Sequence, residues 1–199
     1  MLNHHQQFVQ HIKGLSECEN VLRVCRSYKT AEKNYAFELN GRLKGGLPLD
    51  DLVPDLQHLH SAICAKLGRP HTVYRMTSDH EFSASILEVL EGSFSYSAFM
   101  STSGDVSKLR QFIPKVGRPL LLEIMCPPGI AFAPLDIVSG AEEDEYLLGC
   151  GTKFKVIEPP RIDSGYPYCQ LNASLMVLKL QVLENPPYVD ASKLFTLTD

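Results

Sequence analysis

The chain has 199 residues, of which 44% are hydrophobic and 21% charged, and its formal net charge at pH 7 is -4. This size and composition predict a soluble globular protein with its own core, in one domain or one domain with a helical annex. The negative charge argues against nucleic acid as a partner, because proteins that bind phosphate backbones usually carry a basic face.

Targeting, membrane and metal signals are missing from the sequence. The N-terminal segment lacks the basic start and apolar run of a secretory signal, and no stretch approaches the ~18 apolar residues that span a bilayer. No membrane span is expected, and an exported form would need a route without a cleaved signal. The six cysteines show no Cys-x-x-Cys pair and no zinc spacing, so we expect reduced core thiols. They are Cys18, Cys25, Cys64, Cys126, Cys150 and Cys169.

The first third of the chain has helical periodicity. Apolar residues such as Phe8 and Ile12 recur at intervals of three to four. The pair Asp50 and Asp51 offers an N-cap carboxylate for a further helix, which we expect to end near residues 68–70. Residues 1–69 are therefore predicted to form a helical lobe.

After Pro70 the pattern changes to short β-branched and aromatic runs, separated by Gly, Pro and Ser clusters. The predicted strands are Thr72–Thr77, Phe94–Ser101, Leu120–Met125, Glu145–Leu148, Thr152–Glu158 and Ser174–Leu183. Between them, Ser85–Leu90 and Val106–Ile113 are predicted to be short helices. Helices followed by strands, with no βαβ alternation and no fixed repeat, predict an α+β fold. Residues 70–199 would be the β-rich lobe of a single domain spanning residues 1–199.

Arg75 lies near the end of the first predicted strand. A guanidinium presents a rigid fork of donors that matches phosphate oxygens two at a time, so one arginine there can hold a pyrophosphate. The alternative interpretation is a surface salt bridge.

Ser101, Thr102 and Ser103 close the second predicted strand and precede a Gly-Asp pair. A hydroxyl group both donates and accepts, so it can hold a carboxylate and a substrate amide in register. The alternative is a capping or turn motif, which these residue types commonly form.

A run of four acids at positions 142–145 precedes an apolar segment. If Glu143 and Glu145 begin a strand, their side chains point to the same side and Asp144 points away. Two convergent carboxylates suit a reaction through an oxocarbenium-like cation, since one stabilises the sugar cation and the other handles the nucleophile. The alternatives are a solvated acidic turn and a divalent-cation site.

The three segments, taken together in this order, indicate a class of substrate that no single segment indicates. An arginine, a Ser-Thr-Ser and a carboxylate pair suit a substrate that is phosphorylated and positively charged, and NAD is such a substrate.

In this order the segments resemble the mono-ADP-ribosyltransferases of the Arg, Ser-Thr-Ser, Glu-x-Glu class, which include bacterial toxins, effectors and vertebrate ecto-transferases. Residues 73–75 are similar to the family's Tyr-Arg strand, and residues 99–103 to its Phe-Leu-Ser-Thr-Ser. Residues 143–154 are similar to its hairpin of Glu-x-Glu, Leu-Leu and Gly-Thr-x-Phe. The resemblance covers roughly residues 43–156. It implies a helical lobe packed on a mixed, mostly antiparallel, two-sheet NAD-binding core.

The resemblance also implies roles for four catalytic residues. Arg75 would bind the NAD phosphates, and Ser101 would orient Glu145. Glu145 would hydrogen-bond the nicotinamide-ribose hydroxyl and stabilise the cation as nicotinamide leaves. Glu143 would face the acceptor, commonly an arginine in relatives with this pair, whose guanidinium needs a carboxylate partner to become nucleophilic.

Further contacts with NAD follow from the same resemblance. Thr102 and Ser103 would complete the NAD-binding motif. Phe112 falls where the family places an aromatic ring beside the nicotinamide, and the alternative is a core-facing side chain. Lys115 or Arg110 would add phosphate contacts. No metal is implied.

The chain departs from the family pattern at three places. Met76 stands where a glycine often follows the arginine, and Gly149 and Cys150 replace the usual Pro-Arg after Leu-Leu. The interval between Arg75 and Ser101 is short. These departures affect the loop shapes more than the chemistry.

The function implied is transfer of ADP-ribose from NAD to a protein side chain, with arginine favoured. The protein would be a secreted bacterial effector or toxin, acting in the cytosol of a host or competitor cell. Residues 135–144 would form a mobile loop that recognises the target protein. The alternatives are an NAD glycohydrolase of the same fold and a catalytically silent protein-binding module.

Overall fold

A computed structural model of the chain describes residues 2–82, 89, 92–139, 142–163 and 175–186. Within these residues the helices are α1 (His4–Lys13), α2 (Cys18–Lys29), α3 (Tyr35–Gly45), α4 (Val53–Ala62) and the short α5 (Asp136–Ser139). None of the described helices is long and apolar enough to cross a bilayer. The predicted helix Ser85–Leu90 lies outside the described residues, except for residue 89.

The N-terminal helices begin for different local reasons. At α1 the side chain of Asn3 accepts the Gln6 amide at 2.8 Å, and the Gln6 side chain accepts the Asn3 amide at 3.0 Å, which forms a capping box. The predicted carboxylate cap of α4 is wrong, because Asp50–Leu52 forms a 3₁₀ turn and Leu52 occupies the N-cap without a side-chain hydrogen bond. α4 also ends earlier than predicted, at Ala62.

Each of these helices buries an apolar stripe against the rest of the chain. The buried residues recur at intervals of three and four, as the sequence pattern predicts. They are Phe8 and Ile12 of α1; Val21, Val24, Cys25 and Tyr28 of α2; Leu39 and Leu43 of α3; and Leu56 and Leu59 of α4. Burial of each large side chain contributes roughly 1.5–3 kcal/mol, so the stripes fix the helices on the core.

The strands form a mixed sheet. They are β1 (Ala65–Lys66), β2 (His71–Ser78), β3 (Ser93–Tyr96), β4 (Met100–Ser103), β5 (Pro119–Cys126), β6 (Ala131–Pro134), β7 (Glu145–Leu148), β8 (Thr152–Asp163) and β9 (Leu175–Glu184). Their order is β1-β6-β7-β4-β2-β5-β9-β8-β3. β5 and β9 are parallel, and the other described pairs are antiparallel. The predicted combination of helices with a mixed sheet is confirmed, whereas a division into two sheets stays a prediction.

The connection between β3 and β4 requires the sheet to curl. These strands lie five positions apart in the sheet order, which in a flat sheet would separate them by roughly 24 Å. Only residues 97–99 connect them, and four extended steps reach about 14 Å at most. The β3 edge must therefore bend back towards β4.

This connection also explains one wrong strand prediction. Phe94–Ser101 is not one strand, because residues 97–99 use other partners for their backbone. The Phe99 amide donates to the Asn40 side chain of α3 at 3.1 Å, and Cys150 Sγ donates to the Ser97 carbonyl at 2.6 Å. Alternation within the segment cannot reveal partners so distant in sequence.

Other strand predictions are confirmed with small changes at the ends. β2, β5 and β7 match their predicted segments, and β8 is five residues longer than predicted, ending at Asp163 rather than Glu158. β1 and β6, the short strands at one edge of the sheet, were not predicted. The segment Val106–Phe112 is a 3₁₀ helix, close to the predicted one.

The described cysteines are free thiols, as predicted. Burial raises the pKa of Cys25, Cys126 and Cys150 to about 12 and that of Cys64 to about 11. These thiols therefore stay protonated near neutral pH and act as core residues.

Candidate active site

A cleft of about 550 Å³ lies between α2, α3, β2, β4, the 3₁₀ segment Val106–Phe112 and the loop before β7. This volume is within the range of small-molecule sites. Seven of the residues predicted for catalysis or NAD binding line the cleft: Arg75, Ser101, Thr102, Ser103, Phe112, Glu143 and Glu145. Three distant segments of the chain therefore meet at one place.

Strand pairing explains this meeting. β4 is hydrogen-bonded to β7 on one side and lies next to β2 on the other. In this register Ser103 is opposite Glu145 and also opposite Tyr74, the neighbour of Arg75. Paired residues of antiparallel strands point to the same face, so Ser103 and Glu145 share a face of the sheet. Arg75 is linked to the same strand β4 by its hydrogen bond to the Ser101 carbonyl.

Arg75 is held at the base of the cleft by two acceptors. Its Nη1 donates to the Ser101 carbonyl at 3.0 Å, and its Nη2 donates to both Glu81 carboxylate oxygens at 3.1 and 3.3 Å. Nε of Arg75 is buried and has no hydrogen-bond partner. The guanidinium is therefore fixed by the protein and keeps an unused donor.

Glu81 was missed by the sequence reasoning, and it anchors this part of the cleft. Its side chain is 6% exposed and forms an ion pair with Lys44 Nζ at 2.8 Å. The Glu81 carboxylate also accepts hydrogen bonds from the hydroxyl groups of Thr77 and Tyr96. Burial alone would raise the pKa of Glu81, but Arg75 and Lys44 hold it far below its usual range. The carboxylate is therefore ionised and fixes both cations.

Glu145 is a buried acid that lines the cleft. Its carboxylate is almost fully buried and interacts with the hydroxyl group of Ser101. Burial raises the pKa of Glu145 above its ordinary value, although Lys29 and Ser101 oppose that shift. Tyr28 also faces this serine, and burial raises the pKa of Tyr28 to about 12.

Lys29 is the second residue that the sequence reasoning missed. It is the last residue of α2, and its side chain is 2% exposed. Its Nζ lies 2.7 Å from Glu145 Oε2, 3.1 Å from Asp136 Oδ1, and in a short contact with Glu143 Oε2. Burial alone would lower the pKa of Lys29, but these carboxylates raise it above its ordinary value.

Asp136 fixes the backbone of the acidic segment. Its carboxylate accepts the Asp144 amide at 2.6 Å and the Glu145 amide at 3.3 Å. Asp144 has a φ of 50°, in the left-handed region, so its side chain turns away from those of its neighbours. A Cβ at Gly104 would lie 2.3 Å from an Asp144 carboxylate oxygen, so a larger residue at this position would require the Asp144 side chain to shift.

Glu143 precedes β7 instead of beginning it, which differs from the expected strand start. Its side chain nevertheless converges with that of Glu145, because both contact Lys29. The Glu143 carboxylate also accepts Gln111 Nε2 at 3.1 Å. The acidic pair is thus an ordered, ion-paired cluster, and the alternative of a solvated acidic turn does not describe it.

The hydroxyl groups of Thr102 and Ser103 are engaged in holding β4 to the acidic segment. Thr102 Oγ1 donates to the Tyr146 carbonyl at 2.6 Å. Ser103 Oγ lies 2.6 Å from the Glu143 carbonyl and 2.9 Å from the Asp105 carbonyl. Both residues line the cleft, but their hydroxyl groups form hydrogen bonds with backbone carbonyls of the protein.

Two exposed aromatic rings lie at the cleft. Phe112 is 45% exposed, so the core-facing alternative is wrong. Phe37 of α3, which the sequence reasoning did not single out, is 72% exposed and also lines the cleft. Of the two cations suggested for phosphate contacts, Lys115 and Arg110, neither is among the lining residues.

The fold is that of the ADP-ribosyltransferases. Plx2a, an ADP-ribosyltransferase toxin from Paenibacillus larvae, is 19% identical, with 91% of this chain and 93% of that chain covered at a TM-score of 0.67. A second ADP-ribosyltransferase, from Clostridium botulinum, is 16% identical, with 90% of this chain and 92% of that chain covered at a TM-score of 0.65.

A third similar structure was solved with a nicotinamide dinucleotide. It is the toxin BECa of a binary enterotoxin of C. perfringens with NADH, 17% identical, covering 90% of this chain and 46% of that chain at a TM-score of 0.69. The sequence itself matches no family model and no curated protein. At these identities the likeness establishes the fold, and the activity of this chain has to be argued from its own residues.

Proposed function

We propose that this protein is an NAD-dependent mono-ADP-ribosyltransferase, which moves ADP-ribose from NAD to a protein side chain and releases nicotinamide. One observation carries the proposal: Arg75, Ser101, Glu143 and Glu145 line a single cleft in a chain with the ADP-ribosyltransferase fold. A surface salt bridge and an isolated turn motif would not bring these side chains together.

The polar atoms left open in the cleft suit NAD. Nε of Arg75 is a buried donor without a protein partner, which matches a phosphate oxygen. The Glu145 carboxylate lines the cleft beside its ion pair with Lys29 and matches a ribose hydroxyl. Buried polar atoms rarely stay unpaired, so a ligand that accepts a hydrogen bond from Arg75 Nε is expected.

For this reaction the protein has to position NAD and stabilise the positive charge that develops on the ribose. NAD supplies a nicotinamide that is already a cationic leaving group on the ribose. Glu145 would stabilise positive charge on the ribose with its carboxylate, and Ser101 would hold that carboxylate in place. Arg75 would fix the phosphates so that the sugar stays close to Glu145. Direct capture by the acceptor gives inversion at the anomeric carbon.

Arginine is the acceptor that we favour. A guanidinium is protonated at neutral pH and becomes nucleophilic only when a carboxylate accepts its hydrogen bond. Glu143, which is more exposed than Glu145, would accept this hydrogen bond.

A second function, NAD hydrolysis, is favoured by the contacts of Glu143. Its carboxylate is already paired with Lys29 and Gln111, so an incoming guanidinium has to compete for it. Water needs no such pairing to reach the ribose. The protein would then consume NAD without modifying a target.

A transfer assay separates these functions. Incubation with radiolabelled NAD and a cell lysate should label protein and release nicotinamide, while release without labelling would indicate hydrolysis alone. Glu143→Gln should reduce labelling more than it reduces nicotinamide release. Glu142→Gln is the matched control, since Glu142 is exposed and does not line the cleft. Absence of both activities would contradict the proposal.

The role of a secreted toxin or effector is also proposed, and it is supported by the toxins among the similar structures. The target would be a protein of a host or competitor cell. Both lobes would serve the reaction as one domain, because α2 and α3 of residues 1–69 supply part of the cleft. Mass spectrometry of lysate proteins modified in the presence of NAD would identify the target and the acceptor residue.

A further inference from the structure

Lys29 has contacts that are unusual for a lysine at the end of a surface helix. Its side chain is almost completely buried, and its ammonium contacts Asp136, Glu143 and Glu145. An ammonium has three N–H donors, and here each has a carboxylate to face. A long, flexible side chain loses much of its rotamer freedom in such a position, so the three contacts must outweigh that loss.

Among the described residues, Lys29 is the cation whose ion pairs join Asp136, Glu143 and Glu145. Glu145 faces Lys29 and Tyr28 from α2, Ser101 from β4, and Glu143 from its own segment. Cys25, also on α2, is buried nearby and uncharged at neutral pH.

The remaining neighbours do not replace this cation. Asp136 of α5 adds a further negative charge beside Glu145. Arg75, the cation on β2, is paired with Glu81 and donates to the Ser101 carbonyl rather than to Glu145. Without a cation, the negative charges of neighbouring buried carboxylates would oppose the ionisation of Glu145.

We propose that Lys29 is a positioning residue of this active site, whose ammonium group holds Glu143 and Glu145 together as an ionised pair facing the cleft. The inference rests on the proposed function, in which an ionised Glu145 stabilises the ribosyl cation. Lys29 acts through the glutamates and does not itself touch the reacting atoms.

The same geometry excludes two other roles for this amine. A nucleophile needs a free lone pair, but the surrounding carboxylates keep the amine protonated. An exposed ion pair that only decorates the surface would contribute little, but Lys29 is buried and contacts three acids. The cation also connects α2 to the acidic segment, beside a second link from Arg26 Nε to the Val138 carbonyl at 3.2 Å.

The proposal predicts a change in the pH profile of nicotinamide release. In Lys29→Met the loss of the cation favours the protonated, inactive form of Glu145, so kcat on the acid limb of the profile should fall by about tenfold or more. The acid limb of the profile should move to higher pH by about one unit or more, and activity should recover partly near pH 9. KM for NAD should change little, because the Lys29 ammonium is paired with the three carboxylates and the proposed phosphate contact is Arg75.

Two further variants keep the test informative. Lys29→Arg retains the charge and should restore most of the wild-type profile. Lys13→Met is the matched control, because Lys13 also ends a helix but is exposed and does not line the cleft. A Lys29→Met enzyme with the wild-type profile, or one whose activity falls equally at every pH, would overturn the positioning role.

A measurement without catalysis separates this proposal from the proposed function. The carboxyl carbons of glutamate can be titrated by NMR in protein labelled with ¹³C, with Glu145→Gln and Glu143→Gln used for assignment. Glu145 should titrate at higher pH in Lys29→Met than in the wild type, and removal of a second acid in Lys29→Met/Glu143→Gln should partly reverse the change.

Should Lys29→Met fail to fold, Lys29→Met/Glu143→Gln compared with Glu143→Gln alone gives the same test with one fewer charge. If the titration moves as expected while the wild type releases no nicotinamide, the proposed function fails and the ion-pair role stands. An unchanged titration of Glu145 would overturn the inference about Lys29.

Discussion

Glu81 offers a strong test of how the cleft is built, because a single buried carboxylate fixes Arg75 and Lys44. Glu81→Gln keeps the size of the side chain and removes its charge. Breaking a buried ion pair costs about 3–5 kcal/mol. Arg75 and Lys44 are 22% and 38% exposed, so water compensates part of this loss, and we expect about 2–3 kcal/mol.

This loss converts to a shift in melting temperature. The entropy of unfolding for 199 residues is about 0.4 kcal/mol per degree, so Glu81→Gln should lower Tm by roughly 5–7 °C. Circular dichroism melts at pH 7 measure this directly. Glu184→Gln is the matched control, since the Lys153–Glu184 pair is exposed and its loss should lower Tm by about 1 °C or less.

The pH dependence adds a second criterion. The pKa of Glu81 is lowered in the folded protein, so its contribution is present above its ordinary pKa and is lost as pH falls through the lowered value. The difference between wild type and Glu81→Gln should therefore persist at pH 7 and shrink below about pH 4.5. A variant that melts within 1 °C of the wild type at pH 7 would refute the account of this network.

Three other outcomes follow from the structure. Arg75→Ala should weaken NAD binding measured by calorimetry, and an unchanged dissociation constant would contradict the phosphate role. Phe112→Ala should weaken NAD binding less than Arg75→Ala does, because an exposed ring offers contact area but no charge; an equal loss would indicate a larger role for the ring. Burial lowers the pKa of His60 to about 4, so the wild type should lose about 2 kcal/mol more than His60→Asn in urea unfolding between pH 7 and pH 5. Equal losses would show that His60 does not control acid stability.

The sign of the histidine effect follows from its lowered pKa. As pH falls below about 6.5, the unfolded chain binds a proton at His60 before the folded chain does. The free energy of unfolding therefore decreases with falling pH until His60 also protonates in the folded state.

Local sequence patterns were sufficient to predict those elements that can be recognised without knowing which other segments they pair with. β2, β5 and β7 follow from alternation and β-branched residues, and the stripes of α1 and α2 follow from helical spacing. The short strands β1 and β6 were missed, because two to four residues give too little periodicity to recognise.

Only those residues of the candidate site that stand in recognisable motifs could be predicted from the sequence. Arg75, Ser101 and the two glutamates were found because each stands in a short segment whose order matches a known family. Glu81 follows the arginine by six residues in a segment without a motif, and its importance depends on Lys44 of α3. No spacing rule connects residues 44 and 81.

Lys29 could not be recognised from its own helix. A lysine in the last turn of an amphipathic helix normally interacts with solvent and with the helix dipole. Its burial results from the packing of α2 beside α5 and the acidic segment, more than 100 positions later in the chain. The segment expected to be a mobile recognition loop contains α5 and the anchoring carboxylate of Asp136.

The central claim is that Glu145 acts on NAD bound in this cleft. The most direct measurement is nicotinamide release from NAD by wild type and Glu145→Gln, with NAD affinity and Tm measured on the same samples. We predict that Glu145→Gln binds NAD and remains folded while its rate of release falls by about 10²-fold or more. A folded Glu145→Gln protein that releases nicotinamide at the wild-type rate would contradict the claim.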